Sequence, residues 1–172
     1  MAATVGLWEH FRRLLDFKGR EDRASFWPYA ALLYGIATVG SFLVMVPIMR
    51  SVMGAGAYQT APAMPDMGMF VAGMMITTLA AVLLFAAAVV RRLHDGGLSG
   101  FWGLMPLPFL LFSMVKMWSF FDSFGSEHLE MDSFFQIFIS NLIYILSVIA
   151  LMVLLSRRSD PRSNRYGNGS AR

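Results

Sequence analysis

The sequence predicts an all-α membrane protein: a four-transmembrane-helix bundle with an N-terminal amphipathic interfacial helix. Only 15% of its 172 residues are charged and 56% are apolar, whereas a soluble domain averages about 25% charged residues. Four apolar segments are long enough to cross a hydrocarbon core of about 30 Å, which takes roughly 20 helical residues. The Lys and Arg residues also fall largely on one side of these segments. The length allows one compact unit.

The predicted membrane domain covers residues 26–156, with spans at about 26–49, 68–90, 100–121 and 134–155. The third span differs from the other three, which carry no charged side chain, because it contains Pro106, Pro108 and Lys116. Prolines kink or break a helix, although a membrane helix accepts them where neighbours satisfy the freed carbonyls. The alternative is a re-entrant segment, which would leave three spans and put the termini on opposite sides.

Positive charges set the predicted orientation. With four spans, the N-terminal segment, the 91–100 loop and the tail share one side, and Arg50 and Lys116 are the only Lys or Arg residues outside them. The positive-inside rule places the Lys- and Arg-rich side in the cytoplasm. We therefore expect cytoplasmic N- and C-termini. Topology explains the basic composition, and no nucleic-acid partner is expected.

The segments outside the spans are short. Residues 1–25 form a cytoplasmic segment in which Leu7, Trp8, Phe11, Leu14 and Leu15 recur at helical spacing. This pattern predicts an amphipathic helix on the inner leaflet, with docking on protein as the alternative. The tail, 157–172, is rich in Ser, Asn, Gly and Arg and is expected to be mostly flexible. The predicted interface anchors are Trp8, Trp27, Trp102, Lys116 and Trp118.

We expect no ligand site in either external loop, and the lack of cysteine excludes thiol chemistry. Residues 50–67 are interpreted as a flexible connector, and the acidic residues 122–132 as a solvated loop rather than a cation site. Because the chain has no cysteine, disulfides and thiolate ligands are excluded. No metal or cofactor is expected.

Three short stretches carry motifs: residues 17–27 (FKGREDRASFW), 91–102 (RRLHDGGLSGFW) and 164–167 (NRYG). Together they resemble the YhaH/YhaI-like family of small bacterial inner-membrane proteins of unknown function, over about residues 14–168. Phe101 stands where that family commonly has tryptophan. The resemblance implies a bacterial inner (plasma) membrane location and a four-helix fold, and it implies no reaction.

The motifs also indicate a possible binding face. Arginine forks, a hydroxyl group and backbone N–H groups exposed by glycines together make an anion cradle. Ser99 could instead cap the third span, Asp95 could pair with an arginine of another motif, and Tyr166 could stack on an arginine as the tail folds back. The candidate anion- or partner-binding residues are Arg20, Arg23, Arg91, Arg92, His94, Asp95, Ser99, Asn164, Arg165 and Tyr166.

The leading hypothesis is therefore a non-enzymatic membrane protein that binds an anionic lipid headgroup or a protein partner. One alternative is a transporter or channel component acting as a homo-oligomer, although Lys116 is the only ionisable residue in the spans and such residues mark transport pathways. The other is a membrane enzyme on a lipid or phosphate substrate, with His94 as base and Asp95 orienting it.

Overall fold

The computed structural model describes residues 6–58, 67–122 and 131–168, and within these ranges the chain is helical with no β-strand. A short α1 is followed by four long segments, the third of which starts as a 3₁₀ helix. In chain order they are α1 (Leu7–Arg12), α2 (Arg23–Tyr58), α3 (Met67–Asp95), the 3₁₀ helix (Gly100–Leu104), α4 (Leu107–Asp122) and α5 (Met131–Leu155).

Four segments are long and apolar enough to cross a membrane: Arg23–Ser51, Gly68–Asp95, Gly100–Phe120 and Asp132–Leu155. The predicted all-α fold class is thereby confirmed, and the third span is one of the four. The α3 helix lies in the middle of the arrangement and contacts α2, the 3₁₀ helix, α4 and α5. The acidic loop predicted to be solvated lies, from 123 to 130, outside the described residues.

The start of α2 is fixed by a cap that composition did not point to. The Asp22 carboxylate accepts hydrogen bonds from the Ser25 backbone N–H at 2.9 Å and from the Ser25 hydroxyl at 2.8 Å. An aspartate in this position satisfies N–H groups that have no partner inside the helix. The helix then runs to Tyr58, so the first part of the predicted flexible connector is helical, and residues 59–66 lie outside the described part of the chain.

The α2 and α3 helices approach closely where glycines remove side-chain bulk. A Cβ atom on Gly73 of α3 would lie 2.9 Å from Val44 Cγ1 on α2, and a Cβ on Gly40 would lie 3.3 Å from Thr77 Cγ2. Small residues at such crossings allow close backbone packing, which is a main source of helix association in membranes.

Gly73→Leu is therefore expected to lower the free energy of unfolding in detergent micelles by about 1–3 kcal/mol, the typical cost of overpacking. Gly35→Leu is the matched control, because a Cβ atom on Gly35 has no atom within 4 Å. Equal stability of the two variants would contradict the close α2–α3 contact.

The third span is broken at Pro106, as a helix-breaking proline predicts, whereas Pro108 lies in the first turn of α4. The Ser99 hydroxyl accepts a hydrogen bond from the Phe101 N–H at 3.4 Å at the start of the 3₁₀ helix, so Ser99 is its N-cap. The α4 helix follows after Pro106 and is tied to α5 by side chains. Ser113 donates to Ser140 at 2.8 Å, and Ser140 donates to the Phe109 carbonyl at 3.0 Å.

The best-buried apolar core lies at one end of the bundle. It combines residues from the start of α2 with residues from the ends of α3 and α5: Phe26, Tyr29, Leu33, Ala88, Leu93 and Leu155. Further along the helices, Phe42, Leu83 and Phe138 are at least 60% exposed. Such surfaces suit lipid chains, which are as apolar as leucine.

The α1 helix is shorter than the apolar pattern suggests, and it docks on protein. His10 stacks on the Tyr29 ring with centroids 4.4 Å apart, and Phe11 meets the same ring edge-on at 5.7 Å. Trp8 and Leu15 point away and are 70% and 89% exposed. One side of this segment therefore packs under the bundle, while its other side remains available to lipid.

Candidate functional site

The three motif stretches meet at the end of the bundle that holds the core. We call this region the motif end and define it as residues 6–23, 91–104 and 156–168. The Asp95 carbonyl accepts from the Asp160 N–H at 2.9 Å, and the Asn164 amide donates to the His94 carbonyl at 3.0 Å. Arg20 Nη2 lies 3.1 Å from Asp95 Oδ1. Residues more than 60 positions apart in sequence are thus joined by polar contacts.

The first buried cluster of the motif end joins His10, Glu21 and Arg91. Glu21 accepts from His10 Nε2 through one oxygen and from Arg91 Nε through the other, both at 2.8 Å. The side chains are 1%, 4% and 1% exposed. Arg91 Nη1 also donates to the carbonyls of Arg13 at 2.9 Å and Asp16 at 2.5 Å. This arginine therefore fastens the N-terminal segment to the end of α3.

The second buried cluster is centred on Asp95. One carboxylate oxygen of Asp95 accepts from Arg92 and the other from Arg20. Arg92 continues to α5, where it donates to the Leu155 carbonyl at 2.9 Å and to the Arg157 carbonyl. Two guanidinium groups thus share one carboxylate, and main-chain carbonyl groups accept their remaining hydrogen bonds. Such pairing is required when charges are buried.

Arg20 extends this second cluster to the tail. Its Nη1 donates to the Arg162 carbonyl at 2.8 Å, and its Nη2 donates to the carbonyls of Asp95 and Asp160. Gly19, which precedes it, has φ +87°, a conformation that glycine adopts without steric cost. The turn at Gly19 therefore directs Arg20 toward the tail.

Asp16 orders the chain just before this turn. Arg13 donates to its carboxylate through Nε at 3.0 Å and Nη2 at 2.8 Å, and the Lys18 N–H donates at 3.1 Å. The Arg13 side chain, followed by the Lys18 N–H, holds the pKa of Asp16 below its ordinary value. Asp16 is therefore ionised at neutral pH.

The tail forms a compact turn on the motif end. Asn164 and Gly167 exchange backbone hydrogen bonds at 3.0 and 3.1 Å, and the Asn164 side chain accepts from the Tyr166 N–H at 2.9 Å. The Tyr166 ring lies parallel to the His94 ring at 3.6 Å, and the Arg165 guanidinium lies 4.7 Å from the Tyr166 ring centre. The tail thus has more defined contacts than its composition predicts.

A groove opens beside this turn. It is a cavity of about 530 Å³, lined by Val90, His94, Ser99, Gly100, Phe101, Leu104, Arg165 and Tyr166. Gly100 is required for its shape, since a Cβ atom there would lie 2.8 Å from Val90 Cγ1 and 3.4 Å from His94 Nε2. The other ring nitrogen, His94 Nδ1, is buried and makes no hydrogen bond within the described residues.

The groove has an apolar side and a polar rim. Val90, Phe101 and Leu104 supply hydrocarbon surface, and Phe101 is 79% exposed. Arg165 is exposed at the rim and forms no ion pair with any described residue. A cation beside an apolar surface is an arrangement that suits an anionic amphiphile.

The predicted site residues have different roles in the structure. Arg91 belongs to the first cluster and Arg20, Arg92 and Asp95 to the second, so both members of the Arg91-Arg92 pair are buried, at 1% exposure each. Arg23 stands apart, with Nη1 3.5 Å from the Ser156 carbonyl. The residues at the groove are His94, Ser99, Arg165 and Tyr166, with Asn164 holding the turn.

The predicted interface anchors lie near both ends of the helices. Trp8 and Trp102 are at the motif end and are 70% and 49% exposed, whereas Trp118, near the end of α4, is 45% exposed. Trp27 is half-buried, and the Lys116 ammonium lies 5.8 Å from the Phe112 ring centre.

Sequence reasoning missed His10 and Glu21. The signal for His10 was its position at helical spacing with Leu7, Phe11 and Leu14, which places a polar ring on an apolar stripe. Nothing in the sequence near Glu21 indicated its buried role, because its partners come from two other segments. Among the described residues, no group of three or more His, Cys, Asp or Glu side chains could hold a metal ion.

Four membrane-spanning helices with a polar, arginine-rich motif end define a multi-pass helical membrane protein. The chain belongs to the family described as protein of unknown function (DUF805), which matches residues 14–168. No curated protein and no solved structure matches it.

Proposed function

We propose that the protein resides in a bacterial inner membrane with both termini in the cytoplasm, and that its groove binds an anionic membrane lipid by the headgroup. The single observation that carries the binding proposal is the composition of the groove. Its apolar surface is formed by Val90, Phe101 and Leu104, and the exposed Arg165 stands at its rim. We further propose that the protein is related to the YhaH/YhaI-like group, because its middle motif, residues 91–102, resembles that of the group.

The proposed orientation follows from the charges that remain exposed. The tail carries Arg157, Arg158, Arg162 and Arg165 as exposed side chains at the motif end. The cytoplasmic leaflet is rich in anionic lipids, and each basic residue near that surface contributes about 1 kcal/mol of attraction. A motif end facing the cytoplasm therefore brings Arg165 to the depth of the lipid phosphates.

The buried arginines have a different role in this proposal. Arg91 and Arg92 are too deeply buried to meet a headgroup, and they hold the N-terminal segment and α5 in place. They support the groove indirectly because they fix the end of α3, from which Val90 and His94 extend. The sequence predicted that these two arginines contact the ligand. We instead assign that contact to Arg165 and the polar atoms beside it.

A non-enzymatic role is part of the proposal. Both carboxylate oxygens of Asp95 accept hydrogen bonds from arginines rather than from His94. His94 instead stacks on Tyr166. The orienting carboxylate that a His94 base would need is therefore engaged elsewhere.

Arg165→Gln is expected to weaken binding of phosphatidylglycerol to the detergent-purified protein by a factor of about ten to a hundred. Losing one hydrogen bond to a charged group costs about 1.5–3 kcal/mol, and about 1.4 kcal/mol corresponds to tenfold in affinity. Titration with a fluorescent phosphatidylglycerol, with phosphatidylcholine as the neutral comparison, measures the effect. Arg158→Gln is the matched control, since it removes an exposed tail arginine that does not line the groove.

The proposal is wrong if the two lipids bind equally well to the wild type, or if the two variants are equivalent. Competition with glycerol phosphate or inorganic phosphate distinguishes a lipid site from a site for a free anion. Displacement of the lipid by millimolar phosphate would mean that the apolar side of the groove contributes nothing.

A further inference from the structure

The groove is a composite of two parts of the chain. The end of α3 and the 3₁₀ helix supply Val90, His94 and Leu104, whereas the tail supplies Arg165 and Tyr166. Among the residues that the structure describes, Arg165 is the only arginine or lysine that lines it. When the tail is away, the remaining wall keeps its apolar surface but has no cation. The ability to bind an anion therefore depends on where the tail lies.

The described part of the tail beyond Arg157, residues 158–168, is held by a small set of polar contacts. Arg20 donates to the carbonyls of Asp160 and Arg162, the Asp160 N–H donates to Asp95, and the Asn164 amide donates to His94. The Tyr166 ring on His94 adds one stacking contact. Segments with few buried apolar contacts open at low free-energy cost.

Most side chains of this tail are exposed. Between 161 and 168 only Asn164 and Tyr166 are partly buried. A hydrogen bond between neutral protein groups contributes only about 0.5–1.5 kcal/mol of net stability, because water replaces it when the tail leaves, and the bonds from the charged Arg20 contribute somewhat more. Fixing the backbone of the tail opposes docking through lost conformational entropy. The docked and released states are therefore close in free energy, and a modest influence can shift the balance.

We infer that the C-terminal tail is a latch whose docking is coupled to occupancy of the groove by an anionic lipid. This inference rests on the proposed function and adds its regulation. A lipid that contacts Arg165 in the groove binds the docked state better than the released state, so binding shifts the population toward docking. By reciprocity, docking strengthens lipid binding by the same factor by which bound lipid favours docking.

Asn164 offers a way to weaken the latch without removing a side chain that lines the groove. Its amide reaches the His94 carbonyl and its side-chain oxygen supports the turn, but it is not a lining residue. Asn164→Ala is expected to release the tail in most molecules and to weaken phosphatidylglycerol binding several-fold, because apparent affinity falls with the competent fraction. Ser163→Ala, an exposed neighbour, is the control.

Two spin labels report the position of the tail directly. The chain has no native cysteine, so Leu15→Cys and Asn168→Cys, both at exposed positions, can be labelled cleanly in the full-length protein. Pulsed electron spin resonance then gives the distance distribution between them in nanodiscs of phosphatidylcholine with increasing phosphatidylglycerol. We expect a broad distribution in neutral lipid that narrows as the anionic lipid is added, and that stays broad with Asn164→Ala.

The outcomes separate the latch from the proposed function. A distribution that is unchanged by phosphatidylglycerol, in a protein that binds this lipid through Arg165, overturns the latch and leaves the binding site standing. So does a released tail in Asn164→Ala with unchanged lipid affinity. If Arg165→Gln has no effect on affinity, the proposed function fails instead, whatever the tail does.

Discussion

Asp95→Ala is expected to lower the free energy of unfolding by about 3–5 kcal/mol, the cost of removing one partner from a buried ion pair. Asp95 is 2% exposed and separates the guanidinium groups of Arg20 and Arg92. Without its carboxylate two buried positive charges would face each other, and the contact from Arg20 to the tail would lose its anchor. This is one of the two largest effects that the structure predicts, and for a marginally stable fold it removes much of the stability.

Denaturant titration of the protein in detergent micelles measures the loss. Glu9→Gln is the control, because it removes an exposed carboxylate that also belongs to the motif end and is expected to change stability by about 0.5 kcal/mol or less. A similar small change for both variants would show that the Asp95 cluster is solvated rather than buried.

Arg91→Met is expected to destabilise the protein by a comparable amount, about 3–5 kcal/mol. It would leave the Glu21 carboxylate buried with only His10 as a partner, and it would remove the donors to the carbonyls of Arg13 and Asp16. The N-terminal segment would therefore lose its main attachment to α3.

A double-mutant cycle tests whether the ionic contact itself is responsible. Combining Glu21→Met with Arg91→Met removes both charges, and apolar replacement of a whole buried pair is often tolerated. The loss of stability in the double variant is expected to be about 0.5–3 kcal/mol smaller than the sum of the losses in the two single variants. Simple additivity would mean that the two side chains do not interact.

The membrane helices and the third motif were well predicted from sequence, for a clear physical reason. A charge-free apolar run of sufficient length has few alternatives to a spanning helix. The pairing of Asp95 with Arg20, the cap at Ser99 and the stacking of Tyr166 on an arginine were also expected. Each of these contacts involves a charged, hydroxyl or aromatic side chain, and such side chains have few types of favourable partner.

The different roles of Arg91 and Arg92 could not be predicted. Successive residues on a helix point about 100° apart, so Arg91 meets the N-terminal segment while Arg92 meets α5. The sequence shows two adjacent arginines and nothing of the neighbours on either side. Both were therefore assigned to a ligand, whereas the structure uses them to join segments.

Docking of the 164–167 motif was expected, but the extent of order in the tail was not, for a related reason. The tail has few apolar residues, and a prediction from composition considers only the driving force for apolar burial. It does not count backbone carbonyls, which Arg20 and Arg92 use as acceptors in residues 155–162. The contacts that fix residues 157–162 of the tail are thus largely independent of the tail's own side chains.

The groove exists only if the tail and the 91–104 region lie at the same end of the bundle. Single cysteines at Ser51, Gly96, Asp132 and Asn168, probed with a membrane-impermeant maleimide in intact and permeabilised cells, determine whether they do. We expect Gly96→Cys and Asn168→Cys to react only after permeabilisation, while Ser51→Cys and Asp132→Cys react from outside. Labelling of positions 96 and 168 from opposite sides would contradict the four-span arrangement, and with it the groove and the latch.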